Sequence, residues 1–235
     1  MPSNLPTALS FKRVGMNYFL FTTISALSIA LPCITGLYRY KQLSNGRYLP
    51  LLVLLFTGFL NECLSFAMIR WHQSNLINAN VYTLIEYLLY FWLFYKISSQ
   101  SRILVIAGLS GGILVWITDN LVLHSLTTSN SLFRIMASLV IIWFSIDRLS
   151  QLTFNGATNK FKKSDLLLCF SLLAYFTFRG FIHIFKQFSI GNTPAFQIHL
   201  WIILCVLNIL VNISLCITIL WIPRQQPTMP YSSQA

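Results

Sequence analysis

The sequence predicts an all-α polytopic membrane protein: seven transmembrane helices, amino terminus outside, carboxyl terminus inside. Three observations predict this. The chain of 235 residues is 56% hydrophobic and only 9% charged, with a mean hydropathy of +0.68, whereas a soluble domain carries roughly a quarter charged residues. Its apolar residues gather into seven runs, and a helix of about 20 apolar residues crosses the hydrocarbon core of a bilayer. Most lysines and arginines fall in the short segments between runs. The net charge of +11 is therefore read as the positive-inside bias of a membrane protein, and no nucleic-acid partner is implied. No segment outside the runs is long enough for a separate soluble domain. The expected organisation is an extracytoplasmic arm at 1–16, a membrane domain at 17–222 and a cytoplasmic tail at 223–235.

The first run, 17–38, contains Pro32, which lacks the amide proton of a helical bond and is expected to kink the helix near its end. A secretory signal peptide competes for this stretch, but the run is long and no small-x-small cleavage site follows it. Pro32 directly before Cys33 also makes a poor lipobox, so a retained helix is expected. A basic turn, RYKQLSNGRYL, leads to the second run, 50–71, which opens on Pro50, at home in a first helical turn. This run holds Asn61 and Glu62. The third, 80–96, reads NVYTLIEYLLYFWLFYK; Tyr82, Glu86 and Tyr90 recur every fourth residue and so share one stripe.

The fourth run, 103–123, places Gly108 and Gly112 four apart, with Asp119 near its far end. GxxxG spacing lets another helix approach closely. The fifth, 131–149, has Arg134 near one end and Asp147–Arg148 at the other; the basic loop TFNGATNKFKKS follows. The sixth, 165–187, aligns Tyr175, Arg179 and His183 at four-residue intervals. The seventh, 195–222, carries His199, Asn208 and Asn212 before Pro223 ends it. The cysteines Cys33, Cys63, Cys169, Cys205 and Cys216 are scattered, odd in number and without CxxC spacing, so they are read as packing residues.

Ten basic residues (Arg39, Lys41, Arg47, Lys96, Arg102, Arg148, Lys160, Lys162, Lys163, Arg224) fall on one side of such a bundle, against Lys12, Arg13, Arg70 and Lys186 on the other. The first side is then cytoplasmic. At 1.5 Å per residue, Glu62, Glu86 and Arg179 fall about 9–12 Å below the outer helix ends, and Asp119 and Arg134 within about 6 Å. His72, His124, His183 and His199 lie at or near that same face. Ionisable groups from five helices thus converge in the extracytoplasmic half. A carboxylate or guanidinium inside hydrocarbon is costly and by default faces the interior with a partner, so Arg179 is expected to pair with Glu62, Glu86 or Asp119.

Two readings of this layer stand beside each other. One is interhelical ion pairing that fixes the bundle. The other is a polar ligand pocket formed by Glu62, Tyr82, Glu86, Tyr90, Asp119, Arg134, Tyr175, Arg179, His183 and Asn208. The chain lacks HExxH and HxxxH, so no helix offers two metal ligands on one face. No triad-like run is visible either. No catalytic residue, metal or cofactor is expected, and an intramembrane enzyme ranks last.

The seven-run count is similar to the rhodopsin architecture. The seventh run has no lysine for a Schiff base, which excludes a retinal pigment. The residues NE in the second run followed by YTLIEYLLY in the third resemble small seven-helix inner-membrane proteins of Bacteroidota-type bacteria. That resemblance covers mainly those two runs and implies an inner-membrane location without an activity. The function expected is a non-enzymatic sensor or receptor-like subunit, whose basic loops face a protein partner or anionic lipid. A small-solute or proton-coupled transporter is the alternative, though repeats and paired broken helices are not visible. A structural subunit of a larger membrane complex is the third reading.

Overall fold

The computed structural model describes residues 20–44, 46–98, 102–128, 131–154, 161–191 and 193–223. The arm at 1–16 and all but the first residue of the tail at 223–235 lie outside the described residues. Among those described, the long elements are all helical and no strand occurs. They are α1 (Leu20–Tyr38), α2 (Leu49–Arg70), α3 (Leu76–Ile97), α4 (Arg102–Ile117, continuing as a π-helix over Thr118–Leu123), α5 (Leu132–Phe154), α6 (Lys162–Gln187) and α7 (Pro194–Trp221). A one-turn helix, Tyr40–Leu43, follows α1.

Five of these helices, α1, α2, α4, α6 and α7, are long and apolar enough to cross a membrane. The other two are equally long, but α3 is diluted by Asn78, Asn80, Glu86 and several tyrosines, and α5 by Arg134, Asp147 and Arg148. These are the groups the bundle buries: Asn80, Glu86 and Arg148 are each at most 9% exposed. The lipid-type surface lies elsewhere, as in Ile34, Ile103, Leu114 and Leu210, all exposed. An outward apolar shell around a polar interior is what a bilayer solvent selects.

The helix ends follow local chemistry. The regular helix of α1 breaks at Ser28–Ile29, four residues before Pro32, where the missing proline donor leaves the Ser28 carbonyl without its i+4 bond. That carbonyl accepts instead from the Leu31 amide at 3.1 Å, so the kink falls at the middle of the helix and not near its end. Helix α3 starts earlier than the apolar run suggested. Asn78 lies inside it and donates to Asn61 at 3.0 Å and Ser65 at 3.2 Å, joining its first turn to α2.

Helix α1 packs on α2 and α7, α2 on α3, α3 on α5, α5 on α6 and α6 on α7. These six close a ring, while α4 lies outside it against α3 and α5. Gly108 and Gly112 make that outer contact possible. A Cβ on Gly108 would lie 2.8 Å from the Phe91 ring, and one on Gly112 would overlap the Tyr87 ring. The Tyr87 hydroxyl donates to the Gly108 carbonyl at 2.8 Å. Beneath, Phe144 stacks on Phe94 and meets Phe91 edge-on, and these rings pack in one core with Leu51, Leu168 and Leu172. We call the end with the loops after α1, α3 and α5 the basic end, and the opposite one the histidine end.

Candidate functional site

Helices α3 and α6 supply the centre of the site. Glu86 and Arg179 both face the ring interior, and the Arg179 Nη1 donates to the Glu86 Oε2 at 2.7 Å, each side chain being about one-tenth exposed (12% and 11%). The expected pairing of Arg179 with a carboxylate is present, and Glu86 is its partner. The guanidinium also lies over the rings of Tyr175 and Phe176, at 5.8 and 5.4 Å from their centroids, a cation–π arrangement. Tyr90 meets Phe176 edge-on at 5.1 Å, which fixes the floor.

Above that floor lies a cavity of about 390 Å³, within the range of about 300–1,000 Å³ usual for small-ligand sites. It extends from Leu54 and Tyr90 at mid-bundle up to Ile69, Asn75 and His183 towards the histidine end. Nine of the ten residues expected to form a pocket line it: Glu62, Tyr82, Glu86, Tyr90, Arg134, Tyr175, Arg179, His183 and Asn208.

Asp119 does not. It belongs to α4, outside the ring, and is 1% exposed. Its Oδ2 accepts from the Phe133 amide at 2.8 Å and its Oδ1 contacts His124 Nδ1 at 3.0 Å. One of the first-turn amides of α5, which no intrahelical carbonyl can satisfy, is thereby capped. The position of α4 outside the ring takes its carboxylate away from the cavity.

The groups that line the cavity differ in how far they are committed. Asn208 donates to the Ser25 carbonyl at 2.9 Å, and Asn212 to the Ser28 hydroxyl at 2.7 Å. Both amides tie α7 to the broken turn of α1, so Asn208 reaches the cavity wall while serving as interhelical glue. Arg134 donates one bond, to the neutral Asn80 side chain at 3.1 Å. Asn80 is itself held by the Leu126 and Thr128 carbonyls and by Trp116. Glu62 makes no hydrogen bond to any described residue. His183, 6% exposed, has a buried Nδ1 without a partner. Arg134, Arg179 and Glu86 also border a void of about 10 Å³, the size of one water.

Asn61, Ser65, Thr83 and Trp201 line the cavity as well and were not among the residues expected to form it. Thr83 follows the stripe of Glu86 and Tyr90 at helical spacing, a signal that was present. Trp201 has no such signal, since an indole at the end of an apolar run is ordinary in a membrane helix.

A second cluster, at the basic end, was not foreseen. Asp165, in the first turn of α6, is 0% exposed. Its Oδ2 accepts from Arg148 at 2.5 Å and from Arg47 at 2.6 Å, and its Oδ1 from the Tyr48 hydroxyl at 2.5 Å. Arg47 reaches the Ile97 carbonyl at 3.1 Å, while Gln151 joins Arg148 to Asp147 and Ser98. Burial, then the adjacent Asp165 carboxylate, raise the Tyr48 phenol above its ordinary pKa, which keeps it a donor. Burial opposes the charge on Arg47, but the Asp165 carboxylate outweighs it and its pKa is raised. The turn before α2, the end of α3, the end of α5 and the start of α6 are thus locked together below the cavity.

No group of three or more His, Cys, Asp or Glu side chains among the described residues is placed to hold a metal.

No family model matches this chain, and no curated protein or solved structure is significantly similar to it.

The function therefore has to be read from the cavity itself. It brings together charges of both signs, three tyrosines and a buried imidazole around one volume.

Proposed function

We propose that the chain is a seven-span protein of a bacterial inner membrane, with its amino terminus outside, that binds a small polar ligand in the outer half of the bundle. It acts as a sensor or receptor-like subunit. The observation that carries this reading is the incomplete pairing of the cavity's ionic groups. Ion-pair glue alone would match each charge with its opposite, because an unmatched buried charge is costly. Here Glu86 and Arg179 match, yet Arg134 is held by a neutral amide and the Nδ1 of His183 by nothing. Preformed pockets with a few convergent polar groups are the usual form of a small-molecule site.

A transporter is the second reading, supported by the Asp165 lock. A cavity above a floor sealed by ion pairs is one half of an alternating-access cycle. The deciding experiment is a thermal-shift screen of polar solutes on the purified chain, followed by uptake of any hit into proteoliposomes. Saturable stabilisation without uptake supports the receptor, and uptake supports the transporter. If no solute stabilises the protein, both readings fall and a structural subunit remains.

A further inference from the structure

The cavity presents uncommitted groups of both signs, and they lie on different walls. On α2, Glu62 lines the cavity and makes no hydrogen bond or ion pair with any described residue. Its charged neighbour is another carboxylate, Glu86, whose charge is already taken by Arg179. Elsewhere on the lining, α5 and α6 bring His183 beside Arg179, Arg134 and Lys186. Arg134 has a single hydrogen bond, to the neutral Asn80, and His183 is 94% buried, with its Nδ1 unpartnered. None of the ion pairs among the described residues joins Glu62 to Arg134.

A purely anionic ligand would answer Arg134 and leave Glu62 facing a second negative charge. A purely cationic ligand would answer Glu62 and leave Arg134 with its neutral partner. A ligand carrying both charges answers both walls at once. Between them, Tyr82, Tyr90 and Tyr175 line the cavity. The Tyr175 ring already carries the Arg179 guanidinium; a tyrosine ring can in general hold an ammonium group on its face and cover an apolar side chain.

We infer that the cavity takes a small zwitterion, an amino acid or short peptide, with its ammonium at Glu62 and its carboxylate at Arg134 and His183. This rests on the ligand-binding reading above and narrows it to one chemical class.

The test uses the full chain in detergent micelles, with binding read by thermal shift and by equilibrium dialysis. One panel is built on a single side chain: phenylalanine and glycyl-phenylalanine as zwitterions, phenylalanine amide as the cation and N-acetyl-phenylalanine as the anion. A second panel holds polar solutes that are not zwitterions, namely dicarboxylic acids, polyamines and sugars. The expected result is saturable binding of at least one zwitterion, with the amide and the N-acetyl compound each at least tenfold weaker. The variant Glu62→Gln should then lose most of its preference over the N-acetyl compound, and Arg134→Gln most of its preference over the amide, with both variants melting as cooperatively as the wild type. Equal or tighter binding of the amide or the N-acetyl compound overturns the zwitterion and leaves the binding site standing. The same holds if only the second panel contains a ligand. Binding by neither panel overturns both.

Discussion

Arg148 and Asp165, seventeen positions apart in the chain, meet at 2.5 Å between Nη2 and Oδ2, with side-chain exposures of 8% and 0%. Arg47 and Tyr48 come to the same carboxylate from the turn before α2. One carboxylate therefore pairs with two guanidinium groups, one of them buried, and anchors three parts of the chain that are distant in sequence. The negative charge also sits in the first turn of α6, where the helix dipole favours it.

Asp165→Asn is accordingly expected to destabilise the bundle by about 3–5 kcal/mol, the usual cost of leaving a buried charge without its counter-ion. Tyr48→Phe removes one bond to a charged group and should cost about 1.5–3 kcal/mol. Melting of the purified variants in detergent measures both. An Asp165→Asn protein that melts with the wild type would mean the cluster is hydrated and contributes little.

The pair of Glu86 and Arg179 invites a different comparison. Breaking it with Glu86→Gln should cost about 3–5 kcal/mol, because Arg179 is then buried without a counter-charge, whereas replacing both by apolar residues of similar size can be neutral. Glu86→Leu with Arg179→Met is therefore expected to recover most of the lost melting temperature. A ligand site makes a further demand: the recovered double variant must lose the stabilisation by ligand that the wild type shows. A stable double variant with undiminished ligand response would leave this pair as glue alone.

Close approach of α4 to α3 predicts an asymmetry between neighbouring glycines. A methyl group at Gly112 would collide with the Tyr87 ring, while one at Gly111 meets nothing within 4 Å. Gly112→Ala should cost about 1–3 kcal/mol through overpacking. Gly111→Ala should be neutral or gain up to about 1 kcal/mol from helix propensity. Equal melting temperatures for the two would contradict the packing of α4 described above.

Much of the bundle could be read from the sequence because hydropathy and helical period act locally. The runs located the helices, and the stripes of Glu86 and Arg179 the faces that meet; Pro32 announced a break in α1 but not its place, four residues upstream. GxxxG at Gly108 and Gly112 correctly marked a close contact. What failed needed three-dimensional information. Depth along each axis put Asp119 level with the polar layer, but depth says nothing of rotation about the axis, and α4 lies outside the ring. Asp165 was missed for the converse reason. It stands among the lysines of a loop border and looks like a solvated charge until Arg47, Tyr48 and Arg148, up to 118 positions away, are folded around it. Unpaired groups such as the His183 Nδ1 are likewise invisible before partners can be counted.

The topology turns on α3 and α5, the two helices whose polar and charged residues set them apart from the other five. If both cross the membrane, reporters fused after Asn45, Ser99, Asn159 and Ala235, all positions outside the described residues, should report the cytoplasm, and reporters after Gln73, Thr127 and Ile190 the outside. The positive-inside bias supports this, with ten basic residues against four, because translocating Lys and Arg in short loops is unfavourable. The fusion after Ser99 is the most informative. Helix α3 has 22 residues, about 33 Å at 1.5 Å per residue, which matches a hydrocarbon core of about 30 Å. Asn80, Thr83 and Glu86 are all buried, and in that position they do not meet lipid. A reporter after Ser99 on the same side as one after Gln73 would show that α3 does not cross. In that case Glu86 would lie at a membrane surface, the cavity would no longer sit within a bilayer, and the pairing of Glu86 with Arg179 would have to be explained as an interfacial contact.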